Sequence, residues 1–180
     1  LVFGEHGGLA TPLRAGKGTT YEGGMRVPAI MQWPGTIPAG VVTSEIATTM
    51  DLLPTIATLT GAKIPNDRII DGKNILPLLM SEPDAKSPHD AFYYYHGTEL
   101  HAVRSGPWKF RVSLPLRHED IYRRFENSTT MMSEALYHLP TDPGEQKNLM
   151  PRSTKFEERM SPETRDAITR LRKLLDDARA

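Results

Sequence analysis

Cysteine is absent from this 180-residue sequence, which excludes disulfides, thiolate zinc sites and cysteine nucleophiles together. An excess of charge is absent too, because 22 Lys and Arg residues balance 22 Asp and Glu residues. This balance argues against a dedicated nucleic-acid or polybasic membrane binder. No apolar run approaches the roughly 18 residues of a transmembrane helix, so we expect no membrane span.

The beginning of the chain lacks a methionine, and it lacks a basic segment ahead of an apolar stretch. No signal peptide is therefore visible, and the opening LVFGEHGG is more typical of the middle of a protein than of its start. What the chain does contain is 14 glycines and 15 prolines, with 38% hydrophobic residues. This composition predicts a loop-rich globular protein, whose length suits one large domain or two small ones.

The first 80 residues combine an apolar run with a helical pattern. The run Val27–Trp33 is followed by a Pro-Gly pair, which predicts a strand buried on both faces. Apolar residues then recur at spacings of three and four, which predicts a helix with Asp51 as its N-cap and Gly61 at its end. The residues of this helical face are Ile46, Met50, Leu53, Ile56 and Leu59.

The character of the sequence changes after a polar linker at residues 81–90. Four short strands separated by turn residues are predicted at Ala91–His96, His101–Ser105, Trp108–Val112 and Ala135–Leu139. Residues 113–132 show no regular pattern and are predicted to form a long loop. A last helix is predicted from Ser161 as N-cap, and its apolar face consists of Ala167, Ile168, Leu171, Leu174, Leu175 and Ala178.

These patterns predict an α/β (α+β) protein of two units joined by the linker. Residues 1–80 would form the end of a mixed sheet, and residues 91–180 a small four-stranded antiparallel sheet covered by a closing helix. We expect the first unit to be the weaker one in isolation, because a strand that is apolar on both faces needs neighbours on both sides.

The glycine-framed Lys17 is the sharpest chemical feature of the sequence. Glycines on either side let the backbone approach a ligand, and an ammonium group suits an oxyanion such as phosphate or sulfate. Two phosphate motifs fail here: a P-loop would need Gly at position 11 and Ser or Thr at 18, where Thr11 and Gly18 stand. A dinucleotide fingerprint would need Gly in place of Tyr21. The alternative is a flexible surface loop with a solvated lysine.

Other polar residues of the sequence can be interpreted as functional or as structural. His6 could donate a proton or contact an anion, but a loop histidine bonded to backbone is the favoured reading. Glu22 and Arg26 are expected to pair locally and fix the loop. Asp142 and Glu145 lack the spacing of a calcium loop, so we interpret them as turn chemistry.

His96 and His101 follow a tyrosine-rich strand end. Aromatic and polar groups in such a place form a candidate carbohydrate-facing rim, in which both histidines would contact substrate. The alternative is ordinary alternation along the strand, with Phe92 and Tyr94 in the core.

Four segments of the chain carry a family resemblance, which covers about residues 1–150. The first resembles the catalytic-lysine region of arylsulfatase-type sulfatases, in the alkaline-phosphatase-like superfamily: PLRAGKGTTYEGGMRVPAIMQWPG. The second resembles the helix and Asp-Gly turn that follow in that family: TTMDLLPTIATLTGAKIPNDRIIDGKNILPLL. The small C-terminal domain of the family has a hairpin similar to HAVRSGPWKFRV and a strand and turn similar to ALYHLPTDPGEQKNL.

The resemblance implies a sulfuric ester hydrolase, in which Lys17 stabilises charge on the sulfate ester. Residues 1–80 would then be the end of the catalytic α/β domain, with its alkaline-phosphatase-like mixed sheet, and residues 91–180 the small C-terminal subdomain. Such enzymes use a formylglycine made in a C/S-x-P-x-R motif and a calcium ion held by Asp and Asn oxygens. The chain contains no cysteine for such a motif and matches its serine form once, as SLPLR at residues 113–117, and the family's metal-binding Asp-Asn pair would lie upstream of its first residues.

We therefore expect the C-terminal third of a sulfatase that is inactive alone; a degenerate homologue is the other explanation. The resemblance also implies a sulfated small molecule or sulfated glycan as substrate, and a secreted, periplasmic or lysosomal-like location. Two alternative functions stay open. One is a phosphodiesterase or phosphonate hydrolase of the same superfamily, and the other is a non-catalytic module that binds oxyanions or glycans.

Overall fold

The structure, a computed structural model, describes residues 10–116, 122, 131–151 and 157–179. These residues divide into two compact units. The sheet unit comprises the described residues of Leu1–Val27 and Ala91–Ala180, and the helical unit comprises Pro28–Asp90. The segment that carries Lys17 thus groups with the C-terminal residues, although the sequence patterns place it with residues 1–80. The assignment of residues 1–80 to a catalytic domain stays a prediction.

A four-stranded antiparallel sheet forms the centre of the sheet unit, as predicted. Its strands lie in the order β1-β2-β3-β6. Their bounds are Phe92–His96 for β1, Glu99–Ser105 for β2, Trp108–Arg111 for β3 and Ala135–His138 for β6. The predicted strand ends agree to within one or two residues, because Gly97 and Gly106 turn the chain with positive φ between the first three strands.

The two faces of this sheet bury side chains of different polarity. The pairings Val103 with Phe110 and Phe110 with Leu136 place three apolar side chains on one face, within the main apolar core. The pairings Arg104 with Lys109 and Lys109 with Tyr137 place polar side chains on the opposite face. Lys109 is nevertheless fully buried, so something other than the helix covers the second face.

A C-terminal helix covers the apolar face. This helix, α4 in chain order, spans Pro162–Asp177, and the Ser161 hydroxyl accepts a hydrogen bond from the Thr164 amide at 3.2 Å. The predicted cap is thereby confirmed, and so is most of the apolar face, since α4 buries Ala167, Ile168, Leu171 and Leu175. Leu174 is half-buried, and Ala178 is exposed just beyond the end of the helix. They pack in the same core as the sheet.

The region predicted to be a long loop contains a small second sheet. Leu114–Pro115 (β4) pairs antiparallel with Met131–Met132 (β5). Between them, Tyr122 is buried and packs with Tyr21 and Met132. The other residues from 117 to 130 lie outside the described part of the chain.

The main helix of the helical unit begins where it was predicted, and a 3₁₀ turn precedes it. A 3₁₀ turn at Thr49–Asp51 runs directly into α2, Leu52–Thr60, and Gly61 ends it in a left-handed conformation with φ of 70°. Asp51 occupies the N-cap position of α2, as predicted, but its side chain makes no capping hydrogen bond to that helix. Its carboxylate instead accepts the Thr48 amide at 2.6 Å, because Thr48 is the cap of the preceding 3₁₀ turn. Two one-turn helices complete the helical elements of the described residues, α1 at Glu22–Met25 and α3 at Leu76–Leu79.

Two predictions about apolar residues in this part of the chain are wrong. Val27–Trp33 forms no strand, and Val27 and Ile30 are 74% and 94% exposed. Apart from the half-buried Ile46, the predicted helical face is also exposed, while α2 buries Pro54, Thr55 and Ala57 instead. The physical reason is the same for both. None of the described residues pairs with this segment as a neighbouring strand, and a strand or helix face that is apolar has no burial without a partner surface.

Candidate functional site

Lys17 occupies the corner of a tight turn. The Thr19 amide donates to the Gly16 carbonyl at 3.2 Å, and the Thr19 hydroxyl donates to the same oxygen at 2.9 Å. Gly18 has a φ of 91°, the conformation that the third position of a type II turn requires. Lys17 is exposed at the second position of this turn. The two hydrogen bonds that close the turn therefore fix the backbone from which its ammonium extends.

Two glycines let the turn fold back on its own flanks. The Gly23 amide donates to the Arg14 carbonyl at 2.9 Å, and a Cβ at Gly23 would collide with that carbonyl. A Cβ at Gly24 would collide with the Thr19 carbonyl. The Gly-Gly pair after Glu22 is therefore a packing requirement. We call the residues 14–24 the lysine loop.

Below the lysine loop lies a buried ammonium group, that of Lys109 on β3. Its Nζ lies 2.8 Å from the Thr20 carbonyl oxygen, 3.0 Å from Glu22 Oε1 and 2.9 Å from Glu145 Oε1. The same atom lies 4.1 Å from the centre of the Tyr94 ring. Thr20, Glu22 and Glu145 are themselves buried, so the polar face of the sheet is covered by the lysine loop and by the turn after β6.

Glu145 contacts both arms of the lysine loop. Its carboxylate oxygen Oε2 accepts the Glu22 amide at 2.6 Å, and its backbone carbonyl accepts a hydrogen bond from Arg14 at 3.0 Å. The prediction of turn chemistry is confirmed for Asp142, whose carboxylate accepts the amides of Gln146 and Lys147 at 3.0 and 2.8 Å. It is wrong for Glu145, which points inward as a buried partner of Lys109.

The pKa values of the two buried carboxylates are shifted in opposite directions. Burial alone would raise the pKa of Glu22, but the Lys109 ammonium and hydrogen bonds from Lys109 and Tyr94 bring that pKa below its ordinary value. Burial raises the pKa of Glu145, and Lys109 offsets this only in part. Glu22 is thus the firm anionic partner of Lys109. Burial, together with the charge of Glu22, raises the pKa of Tyr94 well above its ordinary value.

The expected pairing of Glu22 with Arg26 is present but is the weaker of its contacts. The Arg26 guanidinium lies 4.0 Å from Glu22 Oε2 with its side chain 47% exposed, against 3.0 Å for the buried Lys109. Solvent screens such an exposed ion pair, so it contributes little to the free energy of unfolding. Sequence reasoning missed Lys109, although it alternates along β3 with the core residues Trp108 and Phe110. His6 lies outside the described residues.

His96 and His101 come together beside the lysine loop. Their ring centres are 5.4 Å apart, and both rings contact Tyr122, at 5.6 and 5.3 Å. His101 is buried with Nδ1 at 3.3 Å from the Thr20 hydroxyl, whereas His96 is exposed. The Tyr122 hydroxyl accepts the Thr20 amide at 2.8 Å. His101 therefore supports the loop from inside, and contact of either histidine with substrate stays a prediction.

The described residues hold neither a cluster of metal ligands nor a membrane-spanning helix. Across residues 10–116, 122, 131–151 and 157–179, no three His, Asp or Glu side chains cluster as a metal ion would need. The side chains described here therefore do not fit the calcium ion that the resemblance implies. Within those ranges, no helix is both long and apolar enough to cross a membrane.

The comparison with known families matches most of the chain. Residues 14–173 match the family described as "N-sulphoglucosamine sulphohydrolase, C-terminal". Among curated proteins, the chain is 38% identical to arylsulfatase D of Homo sapiens over 164 residues, covering 82% of this chain and 28% of that protein.

Solved structures show the same relationship. The PsFucS1 sulfatase from Pseudoalteromonas sp. superposes with a TM-score of 0.64 at 25% identity, covering 89% of this chain and 33% of that one. Ps i-CgsB in complex with k-i-k-neocarrahexaose superposes with a TM-score of 0.60 at 26% identity, covering 91% of this chain and 32% of that one. The chain thus spans about a third of the length of the proteins it matches.

Proposed function

Because this chain belongs to the sulfatase family, as the region described for the C-terminal part of N-sulphoglucosamine sulphohydrolase, we propose that the protein which carries it hydrolyses sulfuric esters. One observation carries the proposal: an exposed lysine at the corner of a turn that two hydrogen bonds close and that a buried ion network holds from below. A solvated lysine in a flexible loop would need no such support.

The role proposed for Lys17 is to stabilise negative charge on the ester oxygens. An ammonium group is a compact cation with three donors, which suits the tetrahedral arrangement of sulfate oxygens. Charge that develops in the transition state is stabilised most by groups that are fixed before the reaction begins. The glycines of the lysine loop give the substrate access to the backbone as well as to the side chain.

We propose that the nucleophile is supplied outside this chain. A formylglycine would supply the attacking oxygen and a calcium ion would neutralise charge on the sulfate, but the described residues do not fit the metal and the sequence has no cysteine for the C-x-P-x-R form of the motif. The serine form, SLPLR at residues 113–117, lies in the C-terminal part of the chain, about 100 residues from Lys17. The 180-residue chain by itself is proposed to be inactive on sulfate esters.

The proposed substrate is a sulfated small molecule or sulfated glycan. The solved complex of Ps i-CgsB with k-i-k-neocarrahexaose supports the glycan class by analogy. His96 is the residue proposed to contact such a substrate, because it is exposed next to His101 and Tyr122 beside the lysine loop. By the same family likeness we propose a secreted, periplasmic or lysosomal-like location. The zero net charge gives no support to a nucleic-acid partner.

Hydrolysis of paired esters tests the proposal. The protein expressed from its complete reading frame is assayed with 4-nitrophenyl sulfate, with 4-nitrophenyl phosphate and with bis-4-nitrophenyl phosphate. Turnover of the sulfate ester above both phosphates, lost in a Lys17→Ala variant, is the expected result. Preference for the phosphate diester would favour the phosphodiesterase alternative, and sulfate binding without turnover would favour a binding module. Either outcome contradicts the proposal.

A further inference from the structure

We propose that Lys109 is a positioning residue for Lys17, which rests on the proposed function of Lys17 in sulfate ester hydrolysis. Lys109 is a fully buried charged side chain that the proposed chemistry leaves unused. Its ammonium lies beneath the lysine loop and contacts the segment just after Lys17. Through these contacts the small sheet would set the direction in which Lys17 points.

The contacts of the Lys109 ammonium support a positioning role by their number and by the elements that supply them. An ammonium group has three hydrogens to donate, and three oxygens lie within 3.0 Å of Lys109 Nζ. Two of them, the Thr20 carbonyl and Glu22 Oε1, belong to the lysine loop itself. A backbone carbonyl held in this way fixes the chain only three residues from Lys17.

Lys109 and Glu145 together hold both arms of the lysine loop. Glu145 pairs with Lys109 at 2.9 Å, accepts the Glu22 amide on one arm and holds Arg14 on the other through its carbonyl. The Arg14 guanidinium also lies 4.3 Å from the centre of the Tyr21 ring. The segment between these anchors has little freedom left except at Lys17 and its flanking glycines.

The free-energy cost of burying an ion pair also favours a positioning role for Lys109. Burying an ion pair costs several kcal/mol of desolvation per charge, so such pairs are weak evidence for stability and are often replaceable by apolar residues. Their best-supported benefit is a unique geometry. At a site where a displacement of about 1 Å costs on the order of 100-fold in rate, a unique loop geometry is what catalysis requires.

A double-variant cycle in the protein expressed from its complete reading frame tests the proposal. The variants are Lys17→Ala, Lys109→Met and both together, with Lys173→Met on the exposed side of α4 as a matched control. We expect Lys109→Met to lower kcat for 4-nitrophenyl sulfate at least about 10-fold with KM changed less than about threefold. In the Lys17→Ala background the same substitution should lower kcat less than twofold further, because the group it positions is gone.

Two outcomes overturn the inference while leaving the proposed function intact. One is a Lys109→Met variant with wild-type kcat, and the other is a full additional loss in the Lys17→Ala background. A Lys17→Ala variant that keeps wild-type activity would instead overturn the proposed function, and so the two failures are distinguishable.

A charge-balanced variant separates positioning from folding. Lys109→Met combined with Glu145→Gln removes one charge of each sign, and Glu22 keeps the Arg104 guanidinium at 3.6 Å. Deuterium exchange on this variant should rise severalfold in peptides from residues 14–24 and stay unchanged in peptides from α4. Unchanged exchange in the lysine loop would contradict the proposal, as would a uniform rise across the sheet unit.

Discussion

The sheet unit and the helical unit bury their residues in opposite ways. In the sheet unit, strands that pair with each other hide an apolar core on one face and an ion network on the other. In the helical unit, Ile30, Val42 and Ile69 are each more than 90% exposed. Periodic apolar residues thus become a core only where the chain also supplies the facing surface, which is what the difference between the two units teaches.

The helical unit is organised by a polar centre instead. The buried carboxylate of Asp51 accepts the Lys73 amide at 2.8 Å and the Thr48 amide at 2.6 Å, and it lies 2.7 Å from His89 Nε2. These contacts connect the start of α2 with two later segments of the unit. Hydrogen bonds to one carboxylate therefore help to fix this part of the chain.

The largest effect is expected from charging the core of the sheet unit. Leu171→Asp places an unpaired charge at a position that is 0% exposed, which should lower the free energy of unfolding by about 4 kcal/mol or more. Leu53→Asp is the matched control in the helical unit, where Leu53 is 52% exposed and the change should stay within about 0.5 kcal/mol.

Urea unfolding followed by tryptophan fluorescence measures both changes. The two tryptophans fall one in each unit, Trp33 in the helical unit and Trp108 in the sheet unit. A Trp33→Phe background therefore reports on the sheet unit alone, and a Trp108→Phe background on the helical unit. A larger loss from Leu53→Asp than from Leu171→Asp would reverse the comparison.

The second effect is catalytic and locates the chemistry in the sheet unit. Lys17→Ala should lower kcat of the complete protein by about 100-fold, the scale of removing one group that stabilises an oxyanion. Lys17→Arg should also be poor, because the planar guanidinium is larger and presents its donors differently. Lys63→Ala in the helical unit is the control, since Lys63 is exposed and should not affect turnover. Equal kcat in the Lys17 and Lys63 variants would remove Lys17 from the site.

Local patterns predicted much of the sheet unit from the sequence. The four strands and α4 follow from alternation, turn glycines and the Ser-Pro cap, all of which act within a few residues. The same signals misled at Val27–Trp33, because an apolar run reports what the chain needs to bury and not whether a partner is present. Lys17 stood out through its flanking glycines and through the family resemblance.

The support beneath Lys17 could not be predicted in the same way. Lys109 and Glu22 are 87 residues apart, and no periodicity within β3 distinguishes a buried lysine from a solvated one. A charged residue on the outer face of a strand is ordinarily solvated, and only the covering loop changes that here. Glu145 was interpreted from its turn for the same reason, since its partners lie on other elements.

A third effect is expected from the polar centre of the helical unit. Asp51→Asn keeps the size of the side chain but weakens its charge-assisted hydrogen bonds, which should destabilise this unit by about 1–3 kcal/mol. The exposed Asp71→Asn is the control. Deuterium exchange should rise in peptides from residues 48–60 and not in those from β2 and β3. A rise in the sheet strands would show that the two units do not respond separately.

The smallest expected effect is a difference in pH dependence between the units above pH 4.5. Hydrogen bonds hold the pKa of Asp51 below its ordinary 3.8 despite its burial, so its contribution is fully present above that value and is lost as the solution is made more acidic. The contribution of Glu22 to stability changes with pH in the same direction, around its ordinary pKa of 4.5.

Burial gives the contribution of Glu145 the opposite pH dependence. Its folded pKa is raised above 4.5, so folding favours its protonated form, and stability falls as pH rises from 4.5 through the folded pKa. Between pH 4.5 and neutrality we therefore expect the titration of Glu145 to lower the stability of the sheet unit, whereas Asp51 contributes no such fall to the helical unit. Urea unfolding at a series of pH values in the two single-tryptophan backgrounds measures this difference. Glu145→Gln should abolish the fall in the sheet unit, because the amide does not titrate, and a fall that persists in that variant would assign it to another group.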